Sequence, residues 1–170
     1  ATRFGSKPIL LGSGFGFVGN GGFGGGDAFQ CFGRPSLFTD LDGKLDKRTL
    51  FAEKLNLVSG LEVGFGGVWV GSPPNLLFIP DRNHDDVPDG EPEIVLDGWG
   101  INDQHETLNS FIWGPDGWLY GRHGITSTSN TGAPGTPEKE RIARNCAIWR
   151  FHPARATSEV FCNEGTHPWG

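Results

Sequence analysis

One compositional unit recurs along this chain and limits what it can fold into. Leu37-Phe38, the acidic run Asp40-Leu41-Asp42-Gly43-Lys44-Leu45-Asp46 and Arg48-Thr49-Leu50-Phe51 return 40 residues later as Leu77-Phe78, Asp81–Gly90 and Glu93-Ile94-Val95-Leu96. Val68-Trp69-Val70-Gly71 is matched by Trp118-Leu119-Tyr120-Gly121 at an offset of 50. A third copy, Ile148-Trp149-Arg150-Phe151 leading to Glu159-Val160-Phe161, follows a longer insertion. Periods of ~40–50 residues, each holding about four short strands, are the signature of propeller blades. A ring needs at least about four blades, so two to three predict an all-β chain that is part of a β-propeller. A β-sandwich is the competing architecture, but it gives no reason for the repeated loop.

The strand reading rests on short apolar or β-branched runs separated by turn formers. Expected strands are Ser36–Thr39, Thr49–Ala52, Leu61–Val63, Val68–Val70, Leu76–Ile79, Glu93–Leu96, Ser110–Trp113, Trp118–Tyr120, Ala147–Phe151 and Glu159–Cys162. Gly66-Gly67, Ser72-Pro73-Pro74-Asn75, Asp89-Gly90 and Pro115-Asp116-Gly117 supply the turns, because Gly reaches positive φ and Pro pre-sets the first turn residue. No helical apolar period of useful length is present. Trp69, Trp113, Trp118 and Trp149 read as aromatic packing between blades. Residues 125–146 read as a surface insertion.

Residues 1–33 form a separate zone, a Gly-rich leader expected to be irregular, ahead of a partial propeller domain over 34–170. Eleven of the 28 glycines lie in the leader, with Arg3, Lys7 and Asp27 its only charges. Gly14-Phe15-Gly16-Phe17-Val18-Gly19 satisfies a loose GxGxxG pattern, but without a surrounding βαβ unit it is not a nucleotide site. A net charge of −6 argues against nucleic acid or an anionic membrane surface as partner. No run of 18 apolar residues predicts a membrane span. Cys31, Cys146 and Cys162 lack metal-ligand spacing. Of these, Cys146 and Cys162 could meet across neighbouring strands, although idle thiols are the plainer reading.

The acidic loop carries the sharpest chemistry. Asp81, Asn83, Asp85 and Asp89 place side-chain oxygens at loop positions 1, 3, 5 and 9, and the Val87 carbonyl falls at position 7. Ca²⁺ takes six to eight oxygens at roughly 2.3–2.6 Å, which alternating side chains on a tight loop can supply. Pro92 stands at position 12, so the loop is not an EF-hand. The competing reading is a solvated acidic turn. A shorter echo at Asp40, Asp42 and Asp46, with Lys44 inside it, reads as an ordinary turn.

A second constellation, Gly100 to Ser110, holds His105 between Asp103 and Glu106. An imidazole there can take a proton from an alcohol near neutral pH, with either carboxylate orienting it. The bland reading is a surface histidine. His123 follows a strand end near the same rim and is a second candidate.

These residues also carry a family likeness. Residues 37–170 resemble the membrane-bound dehydrogenase domain of planctomycetes and verrucomicrobia, a relative of the glucose/sorbosone dehydrogenase propellers. The likeness rests on Lys47-Arg48-Thr49-Leu50-Phe51-Ala52-Glu53, Gly60-Leu61-Glu62-Val63, Pro74-Asn75-Leu76-Leu77 and the Asp81–Asp89 loop. It continues through Thr107-Leu108-Asn109-Ser110, Trp113-Gly114-Pro115-Asp116-Gly117-Trp118-Leu119-Tyr120-Gly121, Trp149-Arg150-Phe151-His152-Pro153 and Pro168-Trp169-Gly170.

The resemblance implies a six-bladed propeller, exported to the periplasm or cell surface, and a cytochrome c-like domain as electron acceptor. It further implies oxidation of a sugar or alcohol with pyrroloquinoline quinone (PQQ) and Ca²⁺. In that comparison His105 is the base, and Asn109 and His123 are cofactor contacts. The spacing from His105 to the Gly-Pro-Asp turn is one residue longer than the pattern, and Asn109-Ser110 replaces the usual Gly-Arg pair. The competing class is a non-catalytic surface propeller that binds carbohydrate or protein and uses Ca²⁺ as a clip.

Overall fold

The computed structural model describes residues 50–103 and 106–163 in full, together with the backbone of four short strands before them. Those strands are β1 (Gly16–Val18), β2 (Gln30–Gly33), β3 (Pro35–Ser36) and β4 (Lys47–Arg48). Then come β5 (Ala52–Leu55), β6 (Gly60–Gly64), β7 (Gly67–Ser72), β8 (Asn75–Pro80) and β9 (Glu93–Leu96). They are followed by β10 (Asn109–Trp113), β11 (Leu119–His123), β12 (Ser129–Thr131), β13 (Ile142–Arg144), β14 (Ala147–His152) and β15 (Thr157–Asn163). Two 3₁₀ turns, Glu138–Glu140 and Pro153–Arg155, are the helical pieces among the described residues. The chain is all-β, as expected. No described helix is long and apolar enough to cross a membrane.

Two four-stranded antiparallel sheets dominate, ordered β6-β7-β8-β9 and β10-β11-β14-β15. Local chemistry sets their hairpins. Phe65 and Gly66 both take positive φ (53° and 77°) between β6 and β7, the two-residue turn whose twist suits adjoining strands. Between β10 and β11, Gly117 N–H donates to the Gly114 carbonyl (3.1 Å) across Pro115-Asp116. Gly117 then takes φ 79°, which a side chain there would resist.

Alternation decides which residues the sheets bury against each other. Trp69 pairs with Phe78 in register, and both point at the second sheet. From that sheet Phe111, Leu119, Trp149 and Phe151 point back, and all join one buried cluster with Leu76, Leu96, Trp99 and Leu108. Val68, Val70, Leu77 and Ile79 occupy the opposite face of the first sheet and pack on Phe51, Leu55 and Val58. Each such aliphatic, fully buried, contributes about 1.5–3 kcal/mol. Strands β6 and β10 lie side by side, fastened by Trp113 Nε1–H to the Val63 carbonyl (2.7 Å) and Ser59 Oγ–H to the Leu108 carbonyl (2.5 Å). Glycine makes this closeness possible at Gly64, where a Cβ would stand 2.6 Å from Trp113 Nε1.

Three departures from expectation stand out. Within the leader expected to be irregular, Gly16–Val18 pairs with Gln30–Gly33, which in turn pairs with β5. Backbone ladders need no apolar face, so the sequence pattern carries no trace of them. The insertion over 125–146 contains the hairpin β12–β13, in register Ser129↔Arg144, Asn130↔Ala143 and Thr131↔Ile142. The expected strand at Thr49–Ala52 lies later, at Ala52–Leu55. Cys146 and Cys162 are free thiols.

Candidate functional site

The acidic loop joins β8 to β9, and its two ends are drawn together at the strand exit. Asp81 N–H donates to the Gly66 carbonyl and Asp89 N–H to the Pro80 carbonyl, each at 2.8 Å. Inside the loop, side-chain oxygens turn toward backbone N–H groups. Asp85 N–H faces both Asp81 Oδ1 (3.3 Å) and Asn83 Oδ1 (3.2 Å), which sets those two oxygens near one another. Val87 N–H donates to Asp85 Oδ1 (2.9 Å), Arg82 N–H to Asp89 Oδ2 (2.6 Å) and Asn83 Nδ2–H to Asp85 Oδ2 (3.0 Å). Positive φ at His84 (58°) and Asp86 (67°) gives the backbone two reversals within the loop.

The donor set consists of hard oxygens, which is the chemistry Ca²⁺ prefers. Asp81 is 6% exposed, and a carboxylate so placed gains from a cation beside it. No group of three His, Cys, Asp or Glu side chains is gathered to hold a metal among the described residues. A cation held here would need amide or backbone carbonyl oxygens as well as carboxylates. In donor type the loop fits Ca²⁺.

The second constellation is a braced rim. His105 lies outside the described residues, but the chain on both sides of it is pinned. Asp103 N–H donates to Ser127 Oγ (2.9 Å), and Ser127 Oγ–H returns to the Asp103 carbonyl (3.0 Å). Beyond position 105, Gly124 N–H donates to the Glu106 carbonyl (2.6 Å) and Thr126 N–H to Glu106 Oε2 (2.7 Å). The Thr126 hydroxyl stands between Asp103 Oδ2 (3.0 Å) and Glu106 Oε2 (2.5 Å). Two carboxylates thus converge on one hydroxyl, flanking position 105. Thr107 Oγ1–H to the Gly100 carbonyl (2.7 Å) and Gly100 N–H to Ser129 Oγ (2.7 Å) hold the stretch below.

Asn109 and His123, the other two candidates at this end, are both buried. His123 Nε2 lies 2.5 Å from the Ser127 carbonyl and 2.7 Å from Ser129 Oγ. A carbonyl only accepts, so Nε2 carries the proton, and the ring edge packs on Trp99 (5.4 Å between centroids). The imidazole supports the rim from beneath.

With this geometry in place, comparison with known families gives a match. The family model described as "Domain of unknown function (DUF7133)" covers residues 36–170. The chain belongs to this family. No curated protein matches the chain, and no solved structure does. The DUF7133 match spans both four-stranded sheets, the acidic loop and the braced rim.

Within this DUF7133 chain the rim does not fit PQQ among its described residues. A quinone bearing three carboxylates calls for converging cations, whereas Asp103 and Glu106 make this rim acidic. Beside His123, Arg144 is fully buried, and Arg122, the chain neighbour of His123 and the register partner of Asn109, is a single half-buried cation.

Burial also sets the protonation of His123. Desolvation is the leading cause of a pKa below the ordinary 6.5, with the Arg144 charge adding to it against the opposing Ser127 bond and Glu106 charge. The folded state therefore binds the proton less readily than the unfolded chain. The stability this contributes is complete above the ordinary value and falls as pH drops through it toward the depressed value. Each unit of depression corresponds to about 1.4 kcal/mol. Urea midpoints measured from about pH 7.5 down to about pH 5 should fall in the wild type, and His123→Gln should flatten the part of the decline near neutrality. An equal slope in both proteins would remove His123 as its cause.

Proposed function

We propose that the two packed sheets are successive blades of a β-propeller. In this reading Ca²⁺ clips the 81–89 loop, and the rim around position 105 binds a neutral polyol such as a sugar. The convergence of Asp103 and Glu106 on the Thr126 hydroxyl carries the reading. Carboxylates held on braced backbone are strong acceptors for sugar hydroxyls, and their shared negative charge disfavours anionic ligands. The blade assignment is supported by two antiparallel meanders packed face to face with first strands adjacent.

A second reading, a quinone-dependent sugar or alcohol dehydrogenase, draws support from the pinned backbone on both sides of His105. Rigid positioning is what a base that removes a hydroxyl proton requires. When bound, PQQ would supply the redox chemistry; the acidic rim weighs against its binding here. Periplasmic or cell-surface export and a cytochrome c-like acceptor belong to this second reading.

Calorimetric titration with a sugar panel, with and without Ca²⁺, tests the first reading. We expect saturable binding that the double variant Asp103→Asn/Glu106→Gln weakens roughly tenfold or more, as loss of charged hydrogen bonds predicts. PQQ-dependent dye reduction that His105→Ala abolishes would replace it with the dehydrogenase. Neither binding nor turnover in folded, Ca²⁺-loaded protein would sink both.

A further inference from the structure

Burial differs between the two sheets strand by strand. Every residue of β7 is buried, so that strand is covered on both faces. In β11 and β14 buried residues alternate with half-buried ones, the pattern of a strand covered on one face only. The buried set, which includes Leu119, Trp149 and Phe151, faces the first sheet. The other face carries Ile112, Tyr120, Ile148, Arg150 and Phe161, and Ile112 and Phe161 are 63% and 55% exposed. Phe161 meets Tyr120 edge-on at 5.3 Å. The Arg150 guanidinium lies over Trp118 (4.3 Å) and Phe161 (5.1 Å), and its charge is answered by Glu159 at 2.5 Å. Large apolar groups clustered in the open around a paired charge mark an interaction surface.

Strand register says what this surface receives. On the covered face of the first sheet one row reads Glu62, Trp69, Phe78, Glu93. On the open face of the second sheet the matching row reads Ile112, Tyr120, Arg150, Glu159. Another row repeats too: Leu76 stands opposite Leu96, and Ile148 opposite Cys162. Even the irregularity recurs, because the register shifts between Leu76 and Leu77 and again between Ile148 and Trp149. The two faces are therefore the same part of one repeated unit. In the first sheet this part receives the second sheet, which leaves Leu76 and Leu96 only 0% and 4% exposed. In the second sheet Cys162 is exposed.

The packing is head to tail, with the front of one sheet meeting the back of the next. The back of the first sheet is covered by Phe51, Leu55 and Val58, and the back of the second by the first sheet. Among the described residues a second copy of this chain thus has no uncovered back to offer. The connection from Leu96 to Asn109, laid on from Cys162, runs past Gly170. We propose that the outer face of the second sheet is a docking surface for a third four-stranded sheet of the same repeat, contributed by the same polypeptide beyond Gly170. The inference rests on reading the two sheets as successive units of one repeat, and adds which face is still to be filled and by what. The side chains that meet it are large and apolar, as Phe111, Leu119, Trp149 and Phe151 are, since Arg150 already has its carboxylate.

Cys162 and Ile112 report the contact in two proteins, the 170-residue chain and the product of the same reading frame carried past Gly170. N-ethylmaleimide, followed by peptide mass spectrometry, should modify Cys162 roughly tenfold or more slowly in the longer product, since thiol reactivity follows exposure. Ile112→Lys should leave the Tm of the 170-residue chain within about 2 °C, as surface substitutions do. The same variant should lower the Tm of the longer product by roughly 4 °C or more, because it buries an unpaired ammonium. Leu119→Ala, at the joint between the two sheets, should lower the Tm of both proteins. A neutral Leu119→Ala would mean that the sheets are not packed units, and the underlying reading would fail. With Leu119→Ala destabilising, equal Cys162 rates and a neutral Ile112→Lys in the longer product would overturn the docking face alone. A reading frame that stops at Gly170 would overturn it as well. Concentration-dependent protection of Cys162 in the 170-residue chain would overturn the proposed occupant in favour of a second copy.

Discussion

Replacing Trp149 with Ala is expected to cost about 3–5 kcal/mol, the usual penalty for emptying a large buried aromatic site. The indole is 0% exposed and sits where the two sheets and the β12–β13 hairpin meet. It packs on Trp99 at 5.0 Å and edge-on to Phe111 at 5.6 Å. A Cβ added at Gly121 would come within 2.1 Å of Trp149 Cζ2, so the indole occupies space that the neighbouring strand leaves open for it. The truncation would remove that packing and one of the two aromatic faces beneath Arg144. For a chain of this size, about 2–4 °C per kcal/mol translates the loss into a Tm drop of about 6–20 °C. Urea denaturation followed by circular dichroism would measure it directly. A cost below about 1 kcal/mol would mean that the sheets do not pack through this face.

Period-two alternation made the sheets readable from sequence, and it also explains what stayed hidden. Glu93–Leu96 coincides with β9, and the turn chemistry at Gly66 and Pro115-Asp116-Gly117 fell where the hairpins are. The 50-residue match sets Trp69 against Leu119. Trp69 points from the first sheet toward the second, and Leu119 points from the second back toward the first. In the proposed blade reading equivalent residues would face the same way, and an offset one residue away would exchange every side chain between faces. Trp118, expected between sheets, instead lies beneath Arg150 (4.3 Å) and against His152.

The same parity was a usable signal for His123. It lies four residues after inward-facing Leu119 on one strand, so it had to share the buried face. The burial of Arg144 and Thr131 left no signal. Ser-Asn-Thr facing Ile-Ala-Arg has no apolar stripe, and only tertiary packing shows that its arginine is enclosed. Asp103 and Glu106 were visible as carboxylates, but their meeting at Thr126 depends on a loop that closes across 20 and more residues of chain.

Ca²⁺ is expected to raise the Tm of this chain, and neutralising one loop carboxylate should reverse the sign of that variant's effect on stability. At a concentration 100 times its Kd, a ligand that binds only the folded state stabilises it by about 2.7 kcal/mol. At about 2–4 °C per kcal/mol the Tm rises by roughly 5–11 °C. Without the cation, Asp81, Asp85, Asp86 and Asp89 crowd like charges into nine residues, and their repulsion opposes folding. Asp85→Asn keeps an oxygen for the Val87 N–H, which Asp85 Oδ1 accepts at 2.9 Å, and removes one charge. The variant should therefore match or exceed the wild type in chelator and fall below it in saturating Ca²⁺. Mg²⁺ at the same concentration should do little, since it demands a smaller, near-octahedral shell that a loop of this length does not offer. Differential scanning calorimetry of both proteins in chelator, Ca²⁺ and Mg²⁺ decides the matter. Identical Tm values for the wild type in chelator and Ca²⁺ would make the loop a solvated acidic turn, closed by its own Asp and Asn hydrogen bonds without a cation.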